Sequence, residues 1–148
     1  MYSEIFGFES LELSLYTKDS QINRLGCFSE RAIPEDTFIV EYKGEIISAE
    51  EAYKREADPS RPGIYTFWIN DNIAIDGLEN GNIAKYINHS CDPNCYYTFE
   101  ENRILIFALK DIDPDEELTI DYNYESEGEK VTCTCGSEKC RGFINADE

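Results

Sequence analysis

Apolar and polar residues alternate through "LELSLY" (Leu11–Tyr16), the pattern of a strand with one buried face. "TFIVEYKGEII" (Thr37–Ile47) is β-branched and aromatic, and predicts strand interrupted at Gly44. The pattern then changes to that of a helix in "SAEEAYKREA". Ser48 is a natural N-cap there, and Glu51 three residues on completes a capping box. Asp58-Pro59 ends the helix, and "DPSRPG" reads as a loop. Ile64–Ile69 and Asn72–Asp76 are further strands, and "ENGNIAKYIN" is a turn leading into a short helical stretch. "CYYTF" and "RILIFAL" flank "EEN" and predict a hairpin from Cys95 to Leu109. Glu117–Tyr122 is one more strand, and the tail "CTCGSEKCRG" is turn-rich. One helix of ordinary length among many short strands predicts a compact, mainly β fold.

Composition narrows this picture. A chain of 148 residues with 41% hydrophobic and 30% charged residues can bury a core as one domain. No apolar run approaches the ~18 residues of a membrane span, so no membrane partner is expected. "MYSEIFGFES" lacks a basic segment followed by an apolar stretch, so it is no secretory signal. The expected location is intracellular, cytoplasmic or nuclear. There, six cysteines point to metal binding or reactive thiols, with a disulfide framework as the alternative.

The formal net charge of −18 opposes nonspecific binding to phosphate backbones, so no direct nucleic-acid binding is expected. Nine acids and no Lys or Arg lie between Asp111 and Glu129. Such a run is either a solvated face or a surface that attracts a basic protein segment.

The cysteines carry the first candidate chemistry. Cys133, Cys135 and Cys140 form C-x-C-x4-C around a glycine. Three thiolates so close suit a zinc ion, which needs four tetrahedral ligands. The fourth can be Cys27, Cys91, Cys95 or His89, and the Asp92-Pro93-Asn94 turn makes Cys91 plausible. The competing reading is a reduced, redox-exposed tail. Other templates fail: there is no H-E-x-x-H, no G-x-x-x-x-G-K-[ST] and no G-x-G-x-x-G after a strand. A nucleophilic Cys–His pair would need His89, the only histidine, with a thiol such as Cys91, and neighbours on one turn rarely point at each other.

Three segments resemble a known family. "GNIAKYINHSCDPNC" resembles the G-N-x-A-R-x-I-N-H-S-C-x-P-N-C signature of SET-domain protein lysine methyltransferases. "DEELTIDYNY" is similar to their G-E-E-L-T-x-D-Y signature, and "CTCGSEKCRGFI" to their post-SET motif, C-x-C-G-x3-C-R-G-x-[IL]. The three stand in the family's order and cover roughly Ile22 to Ile144. No pre-SET cysteine cluster precedes them in this sequence.

The resemblance implies a β-clip-like fold of small curved sheets, with the Asn-His-Ser-Cys and Leu-Thr-x-Asp-Tyr segments forming a pseudoknot and a zinc-bound post-SET tail. It divides the chain into an N-terminal extension (1–10), the SET domain (11–125) and the post-SET segment with its tail (126–148). It implies S-adenosylmethionine as cofactor and selects Cys91, Cys133, Cys135 and Cys140 as zinc ligands, leaving Cys27 and Cys95 as ordinary thiols.

For the cofactor it implies Asn88 and His89, partly through backbone groups, and Asn23, Leu25 and Gly26 in the early loop. Arg24 stands there in place of the family's first glycine, which bears on the loop's conformation. Tyr65 matches a tyrosine beside the methyl-transfer site, and Thr134 and Phe143 match positions near the adenine. Tyr122 matches the catalytic tyrosine, with Tyr65 beside it. Phe67, Tyr97 and Ile120 are expected to line the lysine channel.

The implied activity is methyl transfer to a lysine amine in a basic protein, plausibly a histone-like tail. An aliphatic residue at 120 with a tyrosine at 97 follows the pattern for monomethylation. The alternative is a catalytically inactive SET-like module that binds basic tails.

Overall fold

A computed structural model of the chain describes residues 14–22, 24–122, 133 and 135–144. Its elements are β1 (Leu15–Asp19), β2 (Leu25–Ser29), β3 (Phe38–Tyr42), β4 (Glu45–Ser48), α1 (Ala49–Glu56), β5 (Thr66–Trp68) and β6 (Ile73–Asp76). A 3₁₀ turn (Ile83–Tyr86) follows, then β7 (Asn88–His89), β8 (Cys95–Glu100), β9 (Arg103–Ala108) and β10 (Glu117–Ile120). The architecture is mainly β, as the strand pattern predicts.

The strands form three sheets, in the orders β1-β2-β10-β7, β3-β9-β8 and β4-β6-β5. All pairings are antiparallel except β10 with β7, which run parallel with Thr119 opposite Asn88 and Ile120 opposite His89. The two motif segments thus lie side by side, although a long stretch of chain separates them.

Burial explains why some strands were easy to see. In β9, Ile104, Leu105 and Ile106 are each at most 1% exposed, so the strand is covered on both faces and reads as a continuous apolar run. It joins β8 through Glu101 and Asn102, both at positive φ, the backbone that a two-residue hairpin turn needs. These strands and β10 build one core around Ile33, Ile87, Ile104, Ile106, Leu118 and Ile120. Burying such side chains stabilises a fold by about 1.5–3 kcal/mol each relative to leaving them in water.

The run Thr37–Ile47 divides into β3 and β4, as Gly44 suggests. A Cβ at Gly44 would stand 2.2 Å from the Asp76 carbonyl, so only glycine allows β4 to begin there. Ser48 caps α1 by accepting the Glu51 N–H at 3.2 Å. The reciprocal half of the capping box is not made. Ser48 is the last residue of β4, paired with Ile73, and the Glu51 carboxylate accepts from Arg55 Nε at 2.7 Å instead.

Two differences concern the first sheet. Strand β1 runs from Leu15 to Asp19, beyond the expected end at Tyr16. Strand β2 was not expected at all. It lies between β1 and β10, with Gly26, Cys27, Phe28 and Ser29 all buried. Small residues buried on both faces leave no alternation to read. Residues 1–13, Asn23, 123–132, Thr134 and 145–148 lie outside the described residues.

Candidate active site and metal centre

The parallel β7–β10 pairing brings three groups of expected residues to one place. The first is sulfur. The Sγ atoms of Cys91, Cys133, Cys135 and Cys140 all lie within 4.8 Å of one another, with Cys91 and Cys133 at 3.8 Å. Sulfurs around a tetrahedral zinc with ~2.3 Å bonds sit about 3.8 Å apart, so this donor set fits the ion. Backbone N–H groups already point at the sulfurs: Cys135 at Cys133 (3.4 Å), Gly142 at Cys140 (3.3 Å) and Arg141 at Cys91 (3.4 Å). Such donors stabilise thiolate charge.

The remaining thiols are excluded by burial. Cys27 and Cys95 lie in the core, where desolvation pushes each thiol up to about 12. All six cysteines are free, so there is no disulfide framework.

His89 sits beside this cluster without belonging to it. Its ring is buried, and Nδ1 accepts the Tyr122 backbone N–H at 3.0 Å. The proton therefore resides on Nε2, which faces Cys91 Sγ at 3.4 Å. Burial, aided by Arg141 and opposed by Asp121, lowers its pKa to about 4 and keeps the ring neutral. Both ring nitrogens are committed within the protein, so a cofactor contact at His89 would come from backbone.

The second group surrounds Tyr122. Its hydroxyl donates to the Ile87 carbonyl at 2.8 Å, and its ring meets His89 edge-on at 5.3 Å. Tyr122, Phe67 and Tyr97 pack against the core cluster that contains Ile120. Phe67 and Tyr97 are T-stacked at 4.9 Å, with Tyr42 on the far side of Phe67 at 5.1 Å. Tyr65 is placed differently. Its carbonyl accepts the Tyr42 hydroxyl at 2.6 Å, and its ring lies 5.9 Å from the Lys85 ammonium, which also faces Tyr86.

The third group is the early loop. Arg24 has φ +33°, so an arginine holds a backbone conformation that glycine adopts more readily. The Leu25 carbonyl accepts from Asn88 Nδ2 at 3.1 Å, and Gly26 is buried beneath Glu117. Phe143 is 42% exposed, and its carbonyl lies 4.0 Å from Cys91 Sγ. Asn23 and Thr134 lie outside the described residues. Exposed aromatic and apolar side chains beside carbonyl acceptors suit a ligand with an adenine ring and a sulfonium cation.

Two residues were not singled out from sequence. Asp121, next to Tyr122, receives both arms of Arg141, at 2.8 and 3.2 Å. Arg141 also donates to the Ile144 carbonyl at 2.6 Å. The ion pair ties the sulfur cluster to the Tyr122 segment. Both residues stand inside the recognised motifs, which was the signal that could have found them.

A family model described as SET domain matches residues 24–123. The chain is 40% identical over 138 residues to the Schizosaccharomyces pombe protein named histone-lysine N-methyltransferase, H3 lysine-4 specific, covering 88% of this chain and 15% of that one. It is 40% identical over 132 residues to Drosophila melanogaster histone-lysine N-methyltransferase trithorax, covering 85% of this chain and 4% of that one. The chain thus spans a small part of the curated relatives it matches.

Among solved structures, that of Arabidopsis thaliana SUVH6 in complex with SAM superposes with a TM-score of 0.76 at 28% identity, over 89% of this chain and 33% of that one. KRYPTONITE in complex with mCHG DNA and SAH gives 0.75 at 27% identity, over 89% and 29%.

Proposed function

The chain belongs to the SET-domain family, and from that premise we propose that it transfers a methyl group from S-adenosylmethionine to the side-chain amine of lysine in a basic protein segment. The observation that carries this reading is the Tyr122 hydroxyl, fixed on the Ile87 carbonyl at 2.8 Å and packed against the same apolar cluster as Phe67 and Tyr97. When bound, the cofactor supplies an electrophilic methyl on a sulfonium.

The chain's own residues prepare the amine. A free lysine has a pKa of about 10.4 and must lose a proton before it can attack. The apolar walls offered by Phe67 and Tyr97, packed on the cluster in which Ile120 is buried, disfavour the ammonium and so lower that pKa. Because the Tyr122 hydroxyl gives its proton to a carbonyl, it meets an amine as an acceptor and aims the nitrogen lone pair. Tyr122 therefore orients the amine rather than deprotonating it. Asn88, His89, Leu25, Gly26 and Phe143 would contact the cofactor, and Cys91, Cys133, Cys135 and Cys140 would hold zinc and so keep the tail beside it.

The acidic stretch that begins at Asp111 supports a basic substrate tail and weighs against nucleic acid. The relatives named for histone H3 lysine 4 support a histone tail and hence a nuclear setting. In a transfer assay with labelled S-adenosylmethionine and an H3 N-terminal peptide, label should appear on lysine and vanish when the lysines are replaced by arginine. Tyr122→Phe should lower kcat about 100-fold with cofactor affinity retained. A wild-type chain that binds cofactor and peptide but labels nothing would overturn this reading in favour of an inactive binding module.

Monomethylation is the expected product degree. The Tyr97 ring stands between Phe67 (4.9 Å) and Phe99 (5.6 Å), where its hydroxyl can hold a water in the space that extra methyls need. Mass spectrometry should find mainly monomethyl-lysine, and Tyr97→Phe should add di- and trimethyl product. Abundant trimethyl-lysine from the wild type would refute it.

A further inference from the structure

Most acids in the Asp111–Glu129 stretch that the structure describes lie at the surface, but Glu117 turns inward. It opens β10 opposite Phe28 of β2, and its carboxylate reaches the loop between β1 and β2. Two side chains from distant parts of the chain converge on that carboxylate. The Ser20 hydroxyl, just past β1, lies 2.7 and 2.8 Å from its two oxygens. Asn88 Nδ2, on β7, donates to Oε2 at 2.9 Å and also to the Leu25 carbonyl at 3.1 Å.

Ser20 then holds the loop itself. Its Oγ accepts the Ile22 N–H at 2.9 Å, and its own N–H donates to the Arg24 carbonyl at 2.8 Å. The loop needs such support, because Arg24 is held at φ +33° with a Cβ, a conformation that L side chains rarely adopt. The close approach depends on Gly26, where a Cβ would lie 2.5 Å from Glu117 Oε2 and 2.8 Å from its Cδ.

We infer that Glu117 is a positioning residue for the cofactor. Its carboxylate locks the Ser20–Gly26 loop against Asn88 and so pre-forms the backbone that meets S-adenosylmethionine. Its oxygens already receive donors from within the protein, so it acts through the loop rather than by touching the ligand. The inference rests on the cofactor reading above.

Calorimetric titration with S-adenosylmethionine tests it in the zinc-loaded chain. Glu117→Ala should weaken binding about ten-fold. Glu117→Gln keeps the shape but loses the charge, and should weaken it about three-fold. Ser20→Ala combined with Glu117→Ala should be no worse than Glu117→Ala alone. In steady state the loss should fall on KM for the cofactor, with kcat at saturating cofactor and KM for peptide changed less than about two-fold.

Hydrogen exchange of the cofactor-free protein supplies a separate readout. The amides of Ile22, Arg24, Leu25 and Gly26 should exchange faster in both Glu117 variants, while those of β9 stay protected. Unchanged exchange there, or wild-type affinity in Glu117→Ala, would overturn the inference. If affinity, kcat and β9 protection fall together, Glu117 is a folding residue and the inference fails. A wild-type chain with the expected exchange pattern that binds no S-adenosylmethionine would overturn the cofactor reading instead, and the assignment of the loop with it.

Discussion

Two parts of the molecule are each tied down by an arginine–aspartate pairing, and they differ in the burial that accompanies the tie. In the unit β4–α1–β5–β6, Asp76 is 5% exposed and takes Arg55 at 2.8 Å and Arg61 at 3.0 Å. The same unit has a small core of Ile47, Ala52 and Ala74 with Trp68 packed on it. In the tail, Arg141 grips Asp121 with similar geometry, yet no described residue from 133 to 144 is buried. One latch seals a unit that has hydrophobic burial of its own. The other aligns a segment whose described residues offer no buried core, so a metal held by the four sulfurs would supply its folding energy. The same ion pair therefore serves stability in one place and alignment in the other.

That contrast can be broken most forcefully by taking the metal away. Chelation, or Cys91→Ser, should reduce methyl transfer at least ~100-fold while NMR signals from α1 and β6 stay in place. Zinc release followed with a colorimetric chelator should track the activity loss. The next effect falls on the β4–α1–β5–β6 unit. Asp76→Ala leaves two arginines without their shared carboxylate and should lower the unfolding free energy by about 3 kcal/mol. Turnover per folded molecule should hold, as urea melts and active-site titration would establish.

Acid sharpens the same point. The arginines and the Leu78 N–H outweigh desolvation and hold the Asp76 carboxyl at about 2, below its ordinary 3.8. A carboxyl depressed in the folded state stabilises above its unfolded pKa and loses that contribution as pH falls through the folded one. Roughly 2 kcal/mol of stability should disappear between about pH 4 and pH 2. Asp76→Ala should lack that dependence when urea midpoints are compared at pH 5, 3 and 2. Smallest is Arg141→Lys, which keeps the charge but loses the two-armed geometry. It should cost about five-fold in kcat/KM with the melting temperature nearly unchanged.

The comparison also marks what the sequence could reveal. Helix α1 was legible because Ser48 and the Asp58-Pro59 stop are local signals. The β8–β9 hairpin was legible because two apolar runs flank a short polar turn. The cluster of four cysteines needed more than spacing. Cys133, Cys135 and Cys140 announce themselves, but Cys91 is chosen over three rivals only by the resemblance, and then by the fold that buries Cys27 and Cys95.

Strand β2 was hidden because Gly26, Cys27 and Ser29 are small residues covered on both sides, so no periodicity betrays them. The Glu117 and Arg141 contacts were hidden for another reason. A charged residue in an acidic chain looks like surface until its partners, far away in sequence, are known. The Glu51 half of the capping box failed because Arg55, one turn on, offered a charge where the backbone offered only an amide.

The bond from Ser20 to Glu117 spans 97 residues, and that span governs the order of events when the chain folds. The β8–β9 hairpin closes a two-residue turn and can form early. The sheet that carries Asn88, Leu25 and Glu117 must wait until β10 meets β2, which closes a long loop at a high entropic cost. On a ribosome, residues 15–29 emerge long before their partner strand exists. A chain truncated before Glu117 lacks β10 and could not assemble the loop, the crossing or the Tyr122 hydroxyl. The proposed active site thus forms only after the rest of the domain has folded, and an incomplete chain stays inactive by topology alone.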